Sequence, residues 1–217
     1  MAVYVKLYPS TTLATKAIMD KQLEILRKEI VYQGFFRVEK YRLKHRLFSG
    51  GWSAEITREL FMRGSCVAVL LYDPDADKVV LIEQFRTGAI LNPDKAWLVE
   101  IVAGAIEEGE SAEEVAHRES MEEAGCEILQ LKVISEFYTT PGGSSEWITL
   151  FCGKVDSTEV GGIHGLDHED EDIWVRTVDF DESYRMLENG EIKSAIAIIA
   201  LQWLALNRKK LRQNWEQ

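Results

Sequence analysis

The chain has 217 residues, 46% hydrophobic and 28% charged, which is ordinary for a globular protein of one large domain or of one domain with an extension. Its net charge of −11 argues against general nucleic-acid binding, because that function favours a basic face. The three cysteines include no CxxC pair, as expected in a reducing compartment, and the longest apolar stretch is shorter than the about 20 residues that span a bilayer. We therefore predict a cytoplasmic protein that binds neither nucleic acid nor membranes.

The N-terminal part of the chain predicts antiparallel β-structure. A charge-interrupted apolar stretch at 36–43 is followed by a turn signal at 49–51, and apolar and polar residues alternate over 52–56. This pattern is typical of a long hairpin with one buried face, and such a face needs a partner surface. No flexible linker follows, so we divide the chain at its next glycine into an N-terminal β-module, 1–64, and a second domain, 65–217.

The second domain mixes strands and helices. Two apolar runs, 66–72 and 78–85, predict strands joined in a hairpin by a six-residue insert, and further strands are predicted over 97–102, 131–138, 148–155 and 173–178. Helices are predicted over 111–124, 180–188 and 192–209, the first of them starting at a Ser111–Glu114 capping box and stopping at Gly125. This order predicts an α+β fold with α/β/α layers.

The first predicted helix carries three glutamates on one face. Glu119, Glu122 and Glu123 are separated by three and four positions or are adjacent, so their carboxylates lie close together. Two such charges 4 Å apart repel by about 1 kcal/mol in water and about 4 kcal/mol at an effective dielectric of 20. A divalent cation removes that repulsion, and oxygen ligands suit Mg²⁺ or Mn²⁺. Taken alone, the three glutamates also fit a solvated acidic face.

The glutamates belong to a longer pattern over residues 104–126. Its fixed positions are Gly104, Glu110, Arg118, Glu119, Glu122, Glu123 and Gly125. This spacing resembles the 23-residue signature of the Nudix hydrolases, with every charged and glycine position filled and mild departures at Ser120 and Cys126. The resemblance implies a Nudix-type α/β/α sandwich and the metal-dependent hydrolysis of a nucleoside diphosphate linked to another moiety.

The resemblance also implies a role for each residue of the signature. The metal ligands would be Glu119, Glu122, Glu123 and the carbonyl of Ala103, holding two or three Mg²⁺ or Mn²⁺ ions. Arg118 would orient a glutamate through a charge-assisted hydrogen bond. Gly104, Glu110 and Gly125 would be structural.

Segments outside the signature resemble the branch of the family that hydrolyses ADP-ribose to AMP and ribose 5-phosphate, among them YQGFF, KHRLFSGG, VVLIEQFR and PGGSSE. Enzymes of that branch are homodimers that exchange the N-terminal module, which helps to build the neighbour's adenine site. By this resemblance Phe36 would stack on adenine, Arg58 and Arg86 would bind phosphates or flank the base, and Glu146 would hold a ribose hydroxyl or the adenine amine. A core position is an equal alternative for Phe36, and a surface ion pair is an alternative for each arginine.

An acidic loop at 165–172 offers carboxylates that the signature does not use. The resemblance matches Glu169 with the base that deprotonates the attacking water and Glu171 with a residue near the metals. A solvated loop is the alternative. The spacing of His164 and His168 does not suit a metal site. Two other functions stay open: hydrolysis of another nucleotide sugar, such as GDP-mannose, and a ligand-sensing Nudix module without activity.

Overall fold

The computed structural model describes residues 21–166, 168 and 170–215. The chain divides into two compact units. The first runs to Arg63 and also contains Thr140–Glu146, and the second contains Gly64–Thr139 and Trp147–Gln217. No helix within the described ranges is both long and apolar enough to cross a membrane.

Within the described residues, the first unit is built on an antiparallel sheet of three strands in the order β1-β2-β3. The strands are β1 (Leu23–Gln33), β2 (Arg37–His45) and β3 (Ile56–Met62). The sheet therefore starts earlier than the sequence predicts, and residues 52–54 precede β3 instead of forming its start. The Thr140–Glu146 segment lies beside β3, because the N–H of Phe61 donates to the carbonyl of Gly143 (2.8 Å) and the carbonyl of Phe61 accepts from the N–H of Ser145 (3.0 Å).

The second unit contains one mixed sheet with eight strands. They are β4 (Ser65–Asp73), β5 (Lys78–Phe85), β6 (Trp97–Glu100), β7 (Val102–Ala105), β8 (Gln130–Tyr138), β9 (Trp147–Lys154), β10 (Gly162–His164) and β11 (Ile173–Asp179). The order is β10-β11-β5-β4-β9-β8, with β6 on β5 and β7 on β4, and β4 runs parallel to β9. The single strand predicted at 97–102 is wrong: two strands with different partners occupy this stretch. The stretch before the acidic loop, where no strand was predicted, contains β10.

Helices cover both faces of this sheet. They are α1 (Ala112–Ala124), α2 (Phe180–Glu188) and α3 (Ala195–Trp215). Alternate residues of β4 are buried on opposite sides because side chains along a strand point to opposite faces. One set packs in a cluster with α1, and the other packs with α2 and α3: Val67, Val69 and Leu71 in the first, Ala68, Leu70 and Tyr72 in the second. The α+β fold with an α/β/α sandwich is confirmed.

Both ends of α1 are fixed by local hydrogen bonds. The capping box between Ser111 and Glu114 is present at its start. Gly125 ends the helix at φ 59°, and its N–H donates to the carbonyl of Met121. Ser120, at a position where the signature prefers an aliphatic residue, is fully buried and donates its hydroxyl to the carbonyl of Ala116 (2.7 Å). This bond satisfies the buried hydroxyl, so the departure does not disturb the helix.

A buried carboxylate stabilises the turn after β4. Asp73 accepts from the N–H groups of Asp75 and Ala76 with one oxygen, and from the N–H and hydroxyl of Ser157 with the other, at 2.7–2.9 Å. Burial acts to raise the pKa of Asp73, but these bonds outweigh it and hold the pKa below its ordinary value of 3.8. The turn between β4 and β5 is thereby attached to the segment after β9.

Candidate functional site

Arg118 connects three carboxylates of the signature. Its Nε and Nη2 donate to the two oxygens of Glu110 at 3.0 and 3.2 Å. Its Nη1 donates to Glu119 (2.8 Å) and to Glu122 (2.9 Å). The bonds from Arg118, with another from Glu107 N–H, hold the pKa of Glu110 below its usual value. One guanidinium thus fixes the turn before α1 to the acidic face of the helix.

Glu123 is the buried member of this face, with 3% of its surface exposed. One of its oxygens accepts from the N–H of Ala103 at 2.9 Å, so the backbone of Ala103 lies beside it. Burial raises the pKa of Glu123 to about 8; the Ala103 bond and the charge of Arg86 oppose this, and Glu119 and Glu171 add to it. Burial also raises the pKa of Glu119, against Arg118, with a contribution from Glu171. Glu171 therefore lies close enough to both carboxylates to repel them.

Gly104 makes room for one of these carboxylates. A Cβ atom at Gly104 would overlap the carboxylate of Glu119, so only glycine allows this close approach of side chain to backbone. In the described part of the chain, no three Asp, Glu, His or Cys side chains are arranged closely enough to hold a metal ion. Arg118 draws Glu119 and Glu122 toward itself instead. The set of oxygen donors, mutually repelling and with one member buried, nevertheless fits a divalent cation.

Two predicted substrate-binding residues of the first unit meet through a third. Phe36 packs edge to face on Phe61, with ring centroids 4.9 Å apart. The guanidinium of Arg63 lies 4.8 Å from the centroid of the Phe36 ring, and its Nε donates to a carboxylate oxygen of Glu146 at 3.1 Å. Phe36 and Glu146, which were predicted separately, are therefore brought together by Arg63. Arg63 was not among the site residues predicted from the sequence.

The predicted arginines have different surroundings. Arg58 is exposed on β3 and donates to the carbonyl of Thr57 at 2.7 Å. Arg86 follows β5 and forms an ion pair with Glu100 at 2.7 Å, and its charge reaches Glu123. The predicted base, Glu169, lies outside the described residues.

A family model described as the NUDIX domain matches residues 62–196, more than half of the chain. This chain belongs to the Nudix family. It is 47% identical over 193 residues to an ADP-ribose pyrophosphatase of Escherichia coli K12, covering 89% of this chain and 92% of the relative. It is 33% identical over 196 residues to a GDP-mannose pyrophosphatase of Cronobacter sakazakii, covering 87% and 97%. A crystal structure described as an ADP compounds hydrolase superposes with a TM-score of 0.68 at 20% identity, covering 91% and 98%, which shows the shared fold.

The chain is thus a Nudix hydrolase, and enzymes of this family generally use divalent metal ions. The family signature, 104–126, lies within the matched range. The Arg118 hydrogen bonds and the buried Glu123 therefore belong to the part of the fold that defines the family.

Proposed function

We propose that this Nudix hydrolase cleaves the diphosphate of ADP-ribose to give AMP and ribose 5-phosphate. The observation that carries the proposal is the 47% identity to an ADP-ribose pyrophosphatase, against 33% to a GDP-mannose pyrophosphatase, each over most of both chains. This difference in identity favours ADP-ribose over GDP-mannose as the substrate. It concerns the nucleotide and not the bond that is cleaved, because both kinds of enzyme act on a diphosphate. Choice between nucleotides must come from residues outside the signature.

The ions would be two or three Mg²⁺ or Mn²⁺, with Ala103, Glu119, Glu122, Glu123 and Glu171 as ligands. When bound, such ions offset the charge of the diphosphate and lower the pKa of a water molecule. Arg118, held by Glu110, would keep Glu119 and Glu122 in place while the ions compete for their oxygens. The support for this set is the burial of Glu123 and the electrostatic proximity of Glu171.

Glu169 would act as the base. It would take a proton from the water molecule as the water oxygen bonds to a phosphorus atom of the diphosphate. The bond from that phosphorus to the bridging oxygen then breaks, and the two phosphates separate as AMP and ribose 5-phosphate. Glu171, two positions further along the chain, supports this assignment by its proximity to Glu119 and Glu123.

Recognition of the nucleotide would involve an aromatic ring, a carboxylate and two arginines. Phe36 would stack on adenine, and Glu146, oriented by Arg63, would accept a hydrogen bond from the adenine amine or a ribose hydroxyl. Arg58 and Arg86 would bind phosphate oxygens, for which a guanidinium is well suited.

We further propose a homodimer in which the N-terminal module, 1–64, is exchanged and the domain over 65–217 carries the chemistry. Exposed apolar side chains on β1 and the turn after it support this: Ile30, Val31, Tyr32 and Phe35. The net charge of −11 supports a small-molecule substrate and argues against nucleic acid and anionic membranes. We assign the enzyme to the cytoplasm, as its three cysteines suggest.

The test is a panel of ADP-ribose, GDP-mannose, ADP-glucose and diadenosine compounds with Mg²⁺ or Mn²⁺. We expect the highest kcat/KM for ADP-ribose, with AMP and ribose 5-phosphate as products. A higher kcat/KM for GDP-mannose would favour the other nucleotide-sugar hydrolase, and binding without turnover would favour a sensing module. Light scattering should give twice the 24.8 kDa of one chain.

A further inference from the structure

A corner of the chain at His164 and Gly165 is attached to the end of α1. The ring of His164 lies against Gly125, where a Cβ atom would be 2.6 Å from the ring Cε1. The Nε2 atom of the ring is hydrogen-bonded to the carbonyl of Gly161 at 3.1 Å. The N–H of Gly165 donates to the carbonyl of Glu122 at 3.4 Å. The His164–Gly125 and Gly165–Glu122 contacts are both made to the C-terminal end of the helix that carries the signature glutamates.

The same corner lies against Glu171. Gly165 has φ 103°, and a Cβ atom there would be 2.8 Å from the Cβ and the carbonyl oxygen of Glu171. These atoms are fixed by the backbone, so no change of side-chain rotamer would relieve the overlap. The N–H of Glu171 donates to the carbonyl of Leu166 at 3.4 Å, so Glu171 is also bonded to the residue that follows Gly165.

We propose that the His164–Gly165 corner is a positioning element for Glu171, holding this carboxylate beside Glu119 and Glu123 by bonding to α1 on one side and packing on Glu171 on the other. The inference rests on the proposed metal site. Groups that orient a ligand without touching the metal typically change metal affinity about 10- to 100-fold when altered. Gly165 and His164 would act in this way, through Glu171.

Gly162 provides a matched control for the substitution. It has φ 104°, so alanine there meets the same backbone strain as alanine at Gly165. Nothing lies within 4 Å of a Cβ atom at Gly162. The two substitutions therefore differ mainly in contact with Glu171.

The experiment measures Mn²⁺ affinity without substrate, from the electron paramagnetic resonance signal of the free ion. We expect Gly165→Ala to weaken binding about 10-fold or more, and Gly162→Ala to change it by less than about 2-fold. In a Glu171→Gln background, Gly165→Ala should cause no further loss. Equal effects of the two alanines, or the same loss with and without the Glu171 carboxylate, would overturn the inference.

Circular dichroism and thermal melts establish that each variant folds. If Gly165→Ala does not fold, His164→Ala tests the inference instead, because it removes the ring from Gly125 without straining the backbone of Gly125 or Gly165. We then expect a loss of Mn²⁺ affinity of more than about 2-fold that again depends on Glu171, and unchanged affinity would overturn the inference. If the unaltered protein turns over ADP-ribose, a negative result with these variants overturns only this inference and leaves the proposed function standing. An unaltered protein that binds no Mn²⁺ would overturn both the proposed metal site and this inference.

Discussion

Arg118→Lys tests whether one guanidinium organises the acidic cluster. Arg118 makes four hydrogen bonds at 2.8–3.2 Å, two to Glu110 and one each to Glu119 and Glu122. Lysine keeps the positive charge, but its single nitrogen lies on a flexible stem. It therefore cannot give Glu110 two parallel bonds and also reach both other carboxylates.

We expect about two of the four hydrogen bonds to be lost. A hydrogen bond to a charged group contributes roughly 1.5–3 kcal/mol, but Arg118 is 35% exposed, and screening by solvent reduces this to about 1 kcal/mol each. The free energy of unfolding should fall by about 2 kcal/mol, and Tm by roughly 4–8 °C. Turnover should fall further, by about 100-fold, because a displacement of about 1 Å in a reacting group has that effect.

Urea unfolding and steady-state turnover of ADP-ribose measure the two effects. The control is Arg185→Lys, because Arg185 pairs with Glu182 on α2 and both side chains are largely exposed. This variant should keep the parental turnover and a stability within about 0.5 kcal/mol. Parental stability and turnover for Arg118→Lys would refute the reasoning. Reduced stability with normal turnover would limit Arg118 to supporting the fold.

Three further substitutions test other parts of the site and fold. Glu123→Gln should keep the backbone hydrogen bond and the fold, but should lower turnover by orders of magnitude. It should also abolish the stabilisation by Mg²⁺, which for the parent is about 2.7 kcal/mol when Mg²⁺ is at 100 times its Kd. A thermal melt of this variant that still responds to Mg²⁺ would place the ion elsewhere. Phe36→Leu should raise KM for ADP-ribose about 10-fold with little change in kcat, because stacking of a base on an aromatic ring contributes about 1–3 kcal/mol to binding. The control is Phe48→Leu, at an exposed position, which should leave KM unchanged. Equal KM values for the two variants would contradict the stacking role of Phe36. Asp73→Asn should cost about 3 kcal/mol at pH 7, because an amide nitrogen then faces buried donors. Since the pKa of Asp73 is lowered in the fold, its contribution is complete above about pH 5 and is lost as pH falls through that pKa, so the stability gap between parent and variant should narrow below about pH 4; a gap independent of pH would count against this account.

The parts of the fold that the sequence predicted well depend on local interactions. The bounds of α1 follow from the capping box at Ser111 and the glycine stop at Gly125, each of which acts within a few residues. The β4–β5 hairpin follows from two apolar runs and a short turn. The spacing of the signature similarly brings the glutamates onto one helix face, where Arg118 reaches two of them.

The parts that the sequence did not predict depend on pairing between distant residues. The stretch at 97–102 forms two strands because β6 pairs with β5 whereas β7 pairs with β4, and its apolar pattern contains no sign of that exchange. The Thr140–Glu146 segment joins the N-terminal unit through backbone bonds to Phe61. Arg63 was missed for the same reason, since its contact with Glu146 spans 83 positions of sequence. An arginine directly before a glycine at the end of a strand was the only local signal.

The pairing of the arginines gives a physical reason for the proposed use of metal ions by this acidic chain. Arg118 is bonded to three carboxylates, Arg63 to Glu146 and Arg86 to Glu100. Each guanidinium therefore shares its charge with an acid, in a chain whose net charge is −11. A diphosphate substrate brings further negative charge, and arginines that are already paired with acids would offset only part of that charge where they bind its oxygens as proposed. Divalent ions on the signature glutamates, as proposed above, would supply the remaining positive charge, and we therefore expect metal to be required for the binding of substrate as well as for its hydrolysis.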